Sequence, residues 1–307
     1  MRKASAPRDL LRTADLDARG LRHVLRLAAA MKSAPAEWSG SLAAQTVACV
    51  CPRVAAPPQL AFEAAVHRLG ALPLRVQAPS AAEGLTETAR VLSGYCVAVA
   101  MYGVDQADVE VYAQASGVPV IAMQTELHQP CQALADLLTL RERFGRLDGL
   151  RLAFVGRAGS AANSLIEGCA LSGIAVAVAT PAGAEPDPGV LADAQRCAGR
   201  YGERVEVTHD PRAAVAGADV VYTAPWAAGR APPGDDPQLA RYRVDRALMR
   251  AAGRQAVFMH PLPARRDAEV TAEVIDGPRS LVIPQAHNRL PAEQALLHTL
   301  ATGDWGP

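Results

Sequence analysis

Apolar residues along this chain gather in short, nearly continuous runs separated by longer segments of helical spacing. TVACVC (46–51), PLRV (73–76), VAVAMY (97–102), PVIAM (119–123), RLAFVG (151–156), VAVATP (176–181), 205–208, VVYTA (220–224), AVFMH (256–260) and 281–284 read as strands. Between them the period changes. Leu21, Val24, Leu25, Ala28 and Met31 recur at three- and four-residue steps, one face of a helix; QLAFEAAVHRLGA (59–71) and 130–145 also read as helices. Strands apolar on both faces, alternating with helices, predict parallel sheets covered by helices on both sides. The expected fold class is α/β, with two domains, each a mostly parallel sheet flanked by helices. The cut falls near RFGRLDGL (143–150), where a long helix meets a Gly-containing turn, so the first domain spans 1–145 and the second 146–288. Such sheets bind ligands beyond the strand C-termini, where strand order reverses. The loop WAAGRAPPGDDP (226–237) is long enough to suggest a binding or lid role.

Composition narrows the class. Of 307 residues, 50% are hydrophobic and 20% charged, a globular balance. Lys+Arg and Asp+Glu are equal at 31 each, which argues against nucleic acid or an anionic membrane as partner. The six cysteines (49, 51, 96, 131, 169, 197) form no CxxC pair, and reduced thiols are expected. MRKASAPRDLLR has no apolar core of a leader, and no run approaches ~20 uninterrupted apolar residues. A soluble, cytoplasmic protein is the expectation.

One stretch raises a chemical question. CPRVAAPPQLAFE (51–63) joins a strand to a helix, a place where free N–H groups and the helix dipole hold anions. Yet the turn offers Ala55, Ala56, Pro57 and Pro58; the nearby cation is Arg53, and two prolines carry no N–H.

DLLRTADLDARGLRHVLRLAAAMK (9–32), TETARVLSGY (86–95), PVIAMQTELHQPCQALADLLTL (118–140), FVGRAGSAANSLIEGCALSG (154–173), VVYTAPWAAG (220–229), HPLPARRDAEVTAEVIDGP (260–278) and QAHNRLPAEQALL (285–297) occur in order along the chain. Together they resemble the aspartate/ornithine carbamoyltransferase family, closest to its ornithine branch. The resemblance implies a carbamoyltransferase-like fold in which the C-terminal helix (289–307) completes the first domain. It also implies transfer of a carbamoyl group from carbamoyl phosphate to an amine, no metal or organic cofactor, and a homotrimer with sites shared between subunits.

Residue by residue, the resemblance is uneven. The family's Ser-Thr-Arg-Thr run falls on Ala55-Ala56-Pro57-Pro58, the following arginine on Gln59, and a second phosphate-binding arginine on Ala100. In HQPCQ, Gln129 stands where the family histidine polarises the carbonyl, with His128 one position early. Gln132 matches the glutamine that recognises the carbamoyl amide, and Arg289 matches an arginine near the same group. His260, Pro261 and Leu262 keep the turn whose backbone oxygens face that amide, with Pro261 in place of the ornithine branch's cysteine. On the amino-acid side, Ala224 replaces an aspartate before Pro225-Trp226, Ala228-Gly229 replaces Ser-Met-Gly, Gly159-Ser160 replaces paired asparagines, and Arg157 replaces an aspartate.

The expected site is therefore Gln132, His260, Arg289 and His128 as catalytic candidates. Gln129, Leu262, Pro261, Ser160, Arg157, Trp226 and Arg53 are the substrate-binding candidates. Plainer roles stand beside these. Gln132 also fits a polar first turn, His260 a structural bond, Arg289 a cap, Trp226 a packing anchor and Cys131 a buried apolar residue. Arg157, Arg230, Arg265 and Arg266 read either as solvated charges or as a new anion site. GRAGS (156–160) lacks the third glycine of a dinucleotide fingerprint. Three functions follow: a divergent enzyme acting on a small amino-acid-like or ureido metabolite without ordinary carbamoyl-phosphate use; a non-catalytic partner of another protein; and carbamoyl transfer through a phosphate site rebuilt from Arg53, His128 and the loop arginines.

Overall fold

A computed structural model describes residues 9–51, 57–78, 84–199, 205–226 and 237–306. These pack as two units, one containing residues up to Leu138 together with Asn288 onward, the other running from Thr139 to His287. The divide lies inside one continuous helix, α5 (Pro130–Phe144), several residues before the turn chosen from sequence.

In the first unit, β1 (Thr46–Cys51), β2 (Leu72–Gln77), β3 (Ala98–Tyr102) and β4 (Val120–Gln124) form a parallel sheet in the order β2-β1-β3-β4. Its helices are α1 (Ala18–Ser33), α2 (Pro57–Arg68), α3 (Leu85–Ser93), α4 (Gln106–Ala115) and the first part of α5. In the second unit, β5 (Arg151–Val155), β6 (Ala175–Ala179), β7 (Val205–Thr208), β8 (Val220–Tyr222) and β9 (Val257–Met259) pair in parallel in the order β7-β6-β5-β8-β9. Its helices are α6 (Ser160–Ser172), α7 (Pro188–Ala198), α8 (Pro211–Val215), α9 (Pro237–Ala240), α10 (Arg246–Ala251) and α11 (Ala272–Ile275). The long α12 (Val282–Thr302) starts in the second unit and ends in the first.

Burial explains why these runs are strands. Val47 to Val50 in β1 and Ala98 to Met101 in β3 are enclosed on both faces, which only a helix-covered parallel sheet provides. Ala48, Val50, Val99, Met101 and Val109 pack with Tyr112 in one core. Ala153, Val155, Val221, Phe258 and Met249 pack with Trp226 in the other. The strand expected at 281–284 is absent. Ser280 makes a single bridge to Phe258, and Val282 already begins α12, so the C-terminal helix starts before residue 289.

Strand order locates the ligand-binding edges. The first unit's chain crosses from β1 to β2 on one side and returns to β3 on the other, opening a crevice beyond Cys51 and Tyr102. In the second unit the reversal lies between β5 and β8, beyond Val155 and Tyr222.

A glycine closes the turn from α2 to β2. Gly70 sits at φ +84°, and a Cβ there would lie 2.8 Å from Gly40 Cα. Gly70→Ala therefore combines left-handed strain with a backbone clash. It should cost about 2 kcal/mol or more in urea unfolding, whereas Gly145→Ala, with open space around it at φ +74°, should cost only the conformational part, about 1 kcal/mol.

Candidate functional site

The first unit's crevice is built from four segments. At the end of β1, Cys51 Sγ accepts from Gln59 Nε2 at 3.3 Å, and the same nitrogen donates to Glu63 Oε1 at 3.0 Å. A carboxylate only accepts, so Glu63 fixes which way the Gln59 amide points. Arg75 on β2 also grips Glu63, through Nε at 2.7 Å and through a second bond from Nη2. That guanidinium is thus committed to a neighbouring carboxylate. Pro57 and Pro58 form the first turn of α2 and not a loop before it. Proline tolerates that place well, but the N–H groups of a first turn are the donors an anion would use, and here two are missing. Arg53, Ala55 and Ala56 lie outside the described residues.

β3 ends in Tyr102. Ala100 lies two residues inside the strand and is 1% exposed, so Tyr102, not Ala100, is the side chain presented at the strand end. Burial pushes the Tyr102 phenol up, with Arg289 pulling it the other way.

The turn before α5 is held tightly. Thr125 Oγ1 accepts from His128 N at 2.8 Å and donates to Gln106 Oε1 at 2.9 Å, while Thr125 N donates to His128 O at 2.8 Å. His128 is consequently buried, 3% exposed, and the backbone shift it would need to take over from Gln129 is opposed by both bonds. Gln129 is half-buried, and its carbonyl accepts from Gln132 N at 3.1 Å and Ala133 N at 3.2 Å.

On α5, Gln132 Nε2 donates to Asp136 Oδ1 at 2.6 Å, and Gln132 Oε1 accepts from Arg289 Nη2 of α12. The structure brings these two candidates into direct contact, with both side chains buried. One turn after Arg289, Glu293 is 1% exposed, and burial pushes its carboxyl up to about 8 against the pull of Arg289. Cys131 is buried and its thiol is pushed well up by burial, which suits a packed residue and not a nucleophile. Asp136, Glu293, Glu63 and Tyr102 were not singled out in the sequence. The i,i+4 spacings Gln132/Asp136 and Arg289/Glu293 were the signals available for two of them.

In the second unit, β9 leads into His260-Pro261-Leu262-Pro263, with the Leu262–Pro263 peptide bond cis. His260 N donates to Gln285 Oε1 at 2.9 Å, and Gln285 Nε2 donates to the Tyr222 hydroxyl at 3.3 Å. The His260 ring is fully enclosed; its Nε2 lies 3.3 Å from Glu269 Oε1 without the alignment of a hydrogen bond. Glu269 Oε1 also accepts from Arg265 N at 2.6 Å. His260 is thus placed to support the turn from within, while Pro261 is buried and Leu262 half-buried against the core.

At the end of β5, Gly156 has φ +122°, and a Cβ there would meet Trp226 Nε1 at 2.5 Å. Trp226 is 7% exposed and part of the core, so it anchors its segment. Arg157 is exposed and Ser160 half-buried at the start of α6. Of the loop arginines, Arg266 binds Asp276 through two bonds of 2.9 and 2.7 Å, and Arg265 is exposed. Arg230, Ala228 and Gly229 lie outside the described residues, as does most of the loop 226–237.

Among the described residues no cluster of three His, Cys, Asp or Glu side chains is arranged to hold a metal, and no helix is long and apolar enough to cross a membrane. What the first unit offers is a buried guanidinium and amide pair suited to a carbonyl or carboxylate oxygen. Gln132→Leu would strand Arg289 and one oxygen of Asp136 together. It should destabilise the protein by roughly 3 kcal/mol in denaturant unfolding, more than an exposed Gln→Leu change.

Comparison with known proteins adds to this geometry. The family described as aspartate/ornithine carbamoyltransferase matches twice, its carbamoyl-P binding domain over residues 8–142 and its Asp/Orn binding domain over residues 148–300. An ornithine carbamoyltransferase of Gloeobacter violaceus is 38% identical over 302 residues, 96% of each chain. One from Methanothermobacter thermautotrophicus is 41% identical over 266 residues, covering 84% of this chain and 88% of that one. The solved ornithine carbamoyltransferase of Pyrococcus furiosus superposes with a TM-score of 0.92 at 36% identity, covering 98% of this chain and 99% of that one.

Proposed function

The chain belongs to the aspartate/ornithine carbamoyltransferase family, and we propose that within it this protein acts on a small amino-acid-like or ureido metabolite without using carbamoyl phosphate in the ordinary way. One observation carries the reading. The guanidinium that the described residues bring towards Gln59, that of Arg75, is engaged by Glu63. The first turn of α2, where a phosphate would draw on backbone N–H groups, opens with two prolines.

Magnitudes support the reading. Charge-assisted bonds contribute roughly 1.5–3 kcal/mol each. Losing two or three from a phosphate site lowers affinity by several powers of ten. By contrast, Gln132 and Arg289 form a buried pair that matches the chemistry of a neutral ureido carbonyl or a carboxylate: one acceptor-seeking guanidinium and one amide. Gln132, Arg289 and Gln129 are the residues assigned to the ligand in the first unit, and Leu262, Pro261 and Ser160 those assigned in the second.

A second reading has its own support. The relatives are named ornithine carbamoyltransferases, and the identity of 38–41% extends over most of each chain. In that reading the protein transfers a carbamoyl group to ornithine, with phosphate held by residues outside the described set.

A thermal-shift series separates the two. Citrulline, ornithine, N-carbamoyl amino acids, phosphate and carbamoyl phosphate are added at millimolar concentration, where a ligand at 100 times its Kd adds about 2.7 kcal/mol. The expected outcome is a raised Tm with a ureido or amino acid and none with carbamoyl phosphate. A shift with carbamoyl phosphate, and turnover with ornithine, would move the conclusion to the second reading.

A further inference from the structure

Glu293 has no part in the reading above, and its surroundings are unusual for a carboxyl group. It is enclosed on α12 one turn after Arg289, and its Oε2 has no hydrogen-bond partner. The guanidinium nearest in sequence donates instead to Gln132 Oε1, and Gln132 passes an amide hydrogen on to Asp136, itself fully buried. A charge count follows from this chain. Arg289 supplies one buried positive charge, and Asp136 is the carboxyl linked to it through the amide. A second ionised carboxyl in the same enclosure would be a buried charge with no counterion of its own, which proteins avoid by keeping the group neutral. The upward push of Glu293 to about 8 agrees with that count.

The groups that bear on Glu293 come from several elements. Arg289 lies on α12, and the Cys131 thiol on α5 is itself raised by burial and by Glu293. Asp136 connects through Gln132, and Tyr102 of β3 connects through Arg289. Lys32 of α1 is tied to Asn288 Oδ1 at 2.6 Å.

We propose that Glu293 is a positioning residue that works uncharged: its proton leaves Arg289 on Gln132 with its other N–H groups available to a carbonyl or carboxylate oxygen of the ligand, and its ionisation draws Arg289 away and closes the site. The probe rests on the ureido reading of function. N-carbamoylglycine is suitable because it has no group titrating between pH 6 and 10. Burial raises both the Tyr102 phenol and the Cys131 thiol.

Calorimetric titration of this probe into wild type and Glu293→Gln, from pH 6 to 10, tests the idea. In wild type the affinity should hold up to about 8 and then fall about tenfold per pH unit, with proton uptake on binding seen as a buffer-dependent enthalpy. In Glu293→Gln the affinity should show no such break and no proton uptake. Identical pH profiles in the two proteins, or a flat profile in wild type, would overturn the proposal.

Absence of probe binding to wild type at every pH would sink the ureido reading, and Glu293 is then judged without ligand. Infrared spectroscopy should show a protonated carboxyl band at pH 7 that fades by pH 9 to 10 and is missing in Glu293→Gln. No band at pH 7 overturns the proposal. Stability gives a parallel readout. The folded carboxyl holds its proton up to about 8 while the unfolded one releases it near its ordinary value of 4.5, so wild type loses stability as pH rises between those limits. The Tm advantage of Glu293→Gln should widen from pH 5 to 8 and stay constant above. A constant difference throughout counts against Glu293 as the titrating group. Should the variant not fold, the wild-type profile and its infrared band decide alone.

Discussion

A buried guanidinium must have partners, and in the first unit that requirement organises everything around it. Arg289 is 157 residues from Gln132 in sequence, yet their side chains meet inside the fold. Leaving such a cation unpaired would cost several kcal/mol, so α12 and α5 are held to one relative placement in this unit. The consequences pass along the contact. Gln132 is turned so that its nitrogen faces Asp136, and Glu293 is left enclosed with its Oε2 unbonded. A polar network of this kind does little for net stability compared with apolar packing of the same volume. Its value lies in direction: it fixes how the Gln132 amide and the Arg289 guanidinium are turned.

Beside it, the end of β1 and the start of α2 hold a second polar cluster. Where a phosphate-binding unit presents free cations and helix N–H groups, this one has Gln59, Glu63 and Arg75 bonded among themselves and a helix that opens on two prolines. The carboxylate of Glu63 absorbs the charge of Arg75 and orients the amide of Gln59. The cluster is self-contained. The scaffold around this cluster is shared with the ornithine carbamoyltransferases.

The second unit holds the end of its sheet in another way. The His260-Pro261-Leu262-Pro263 turn hangs from β9, and buried polar groups behind it hold it in place: Gln285 on its backbone, Tyr222 behind Gln285, and Glu269 beside the ring. Gly156 and Trp226 close the adjacent strand ends by a contact that only a residue without Cβ permits. The backbone of the turn is held by side chains packed behind it.

Much of this was legible in the amino-acid order. The both-face apolar runs, the helical spacing of Leu21 to Met31 and the ordered motifs from DLLRTADLDARG to NRL determined parallel sheets, two units and the family, because these depend on local periodicity and on burial, which single residues report. Gln132 and Arg289 were also visible as candidates. What the sequence did not reveal were pairings between distant side chains: Arg289 with Gln132, Arg75 with Glu63, His260 beside Glu269. Nor did it show that Tyr102 and not Ala100 stands at the strand end, that residues after Ser280 enter a helix, or that Glu293 is buried with its Oε2 unbonded. Those facts follow from which atoms the fold brings within bonding distance and removes from water. Partner choice and desolvation are properties of three-dimensional neighbourhoods, and only the tertiary structure decides them.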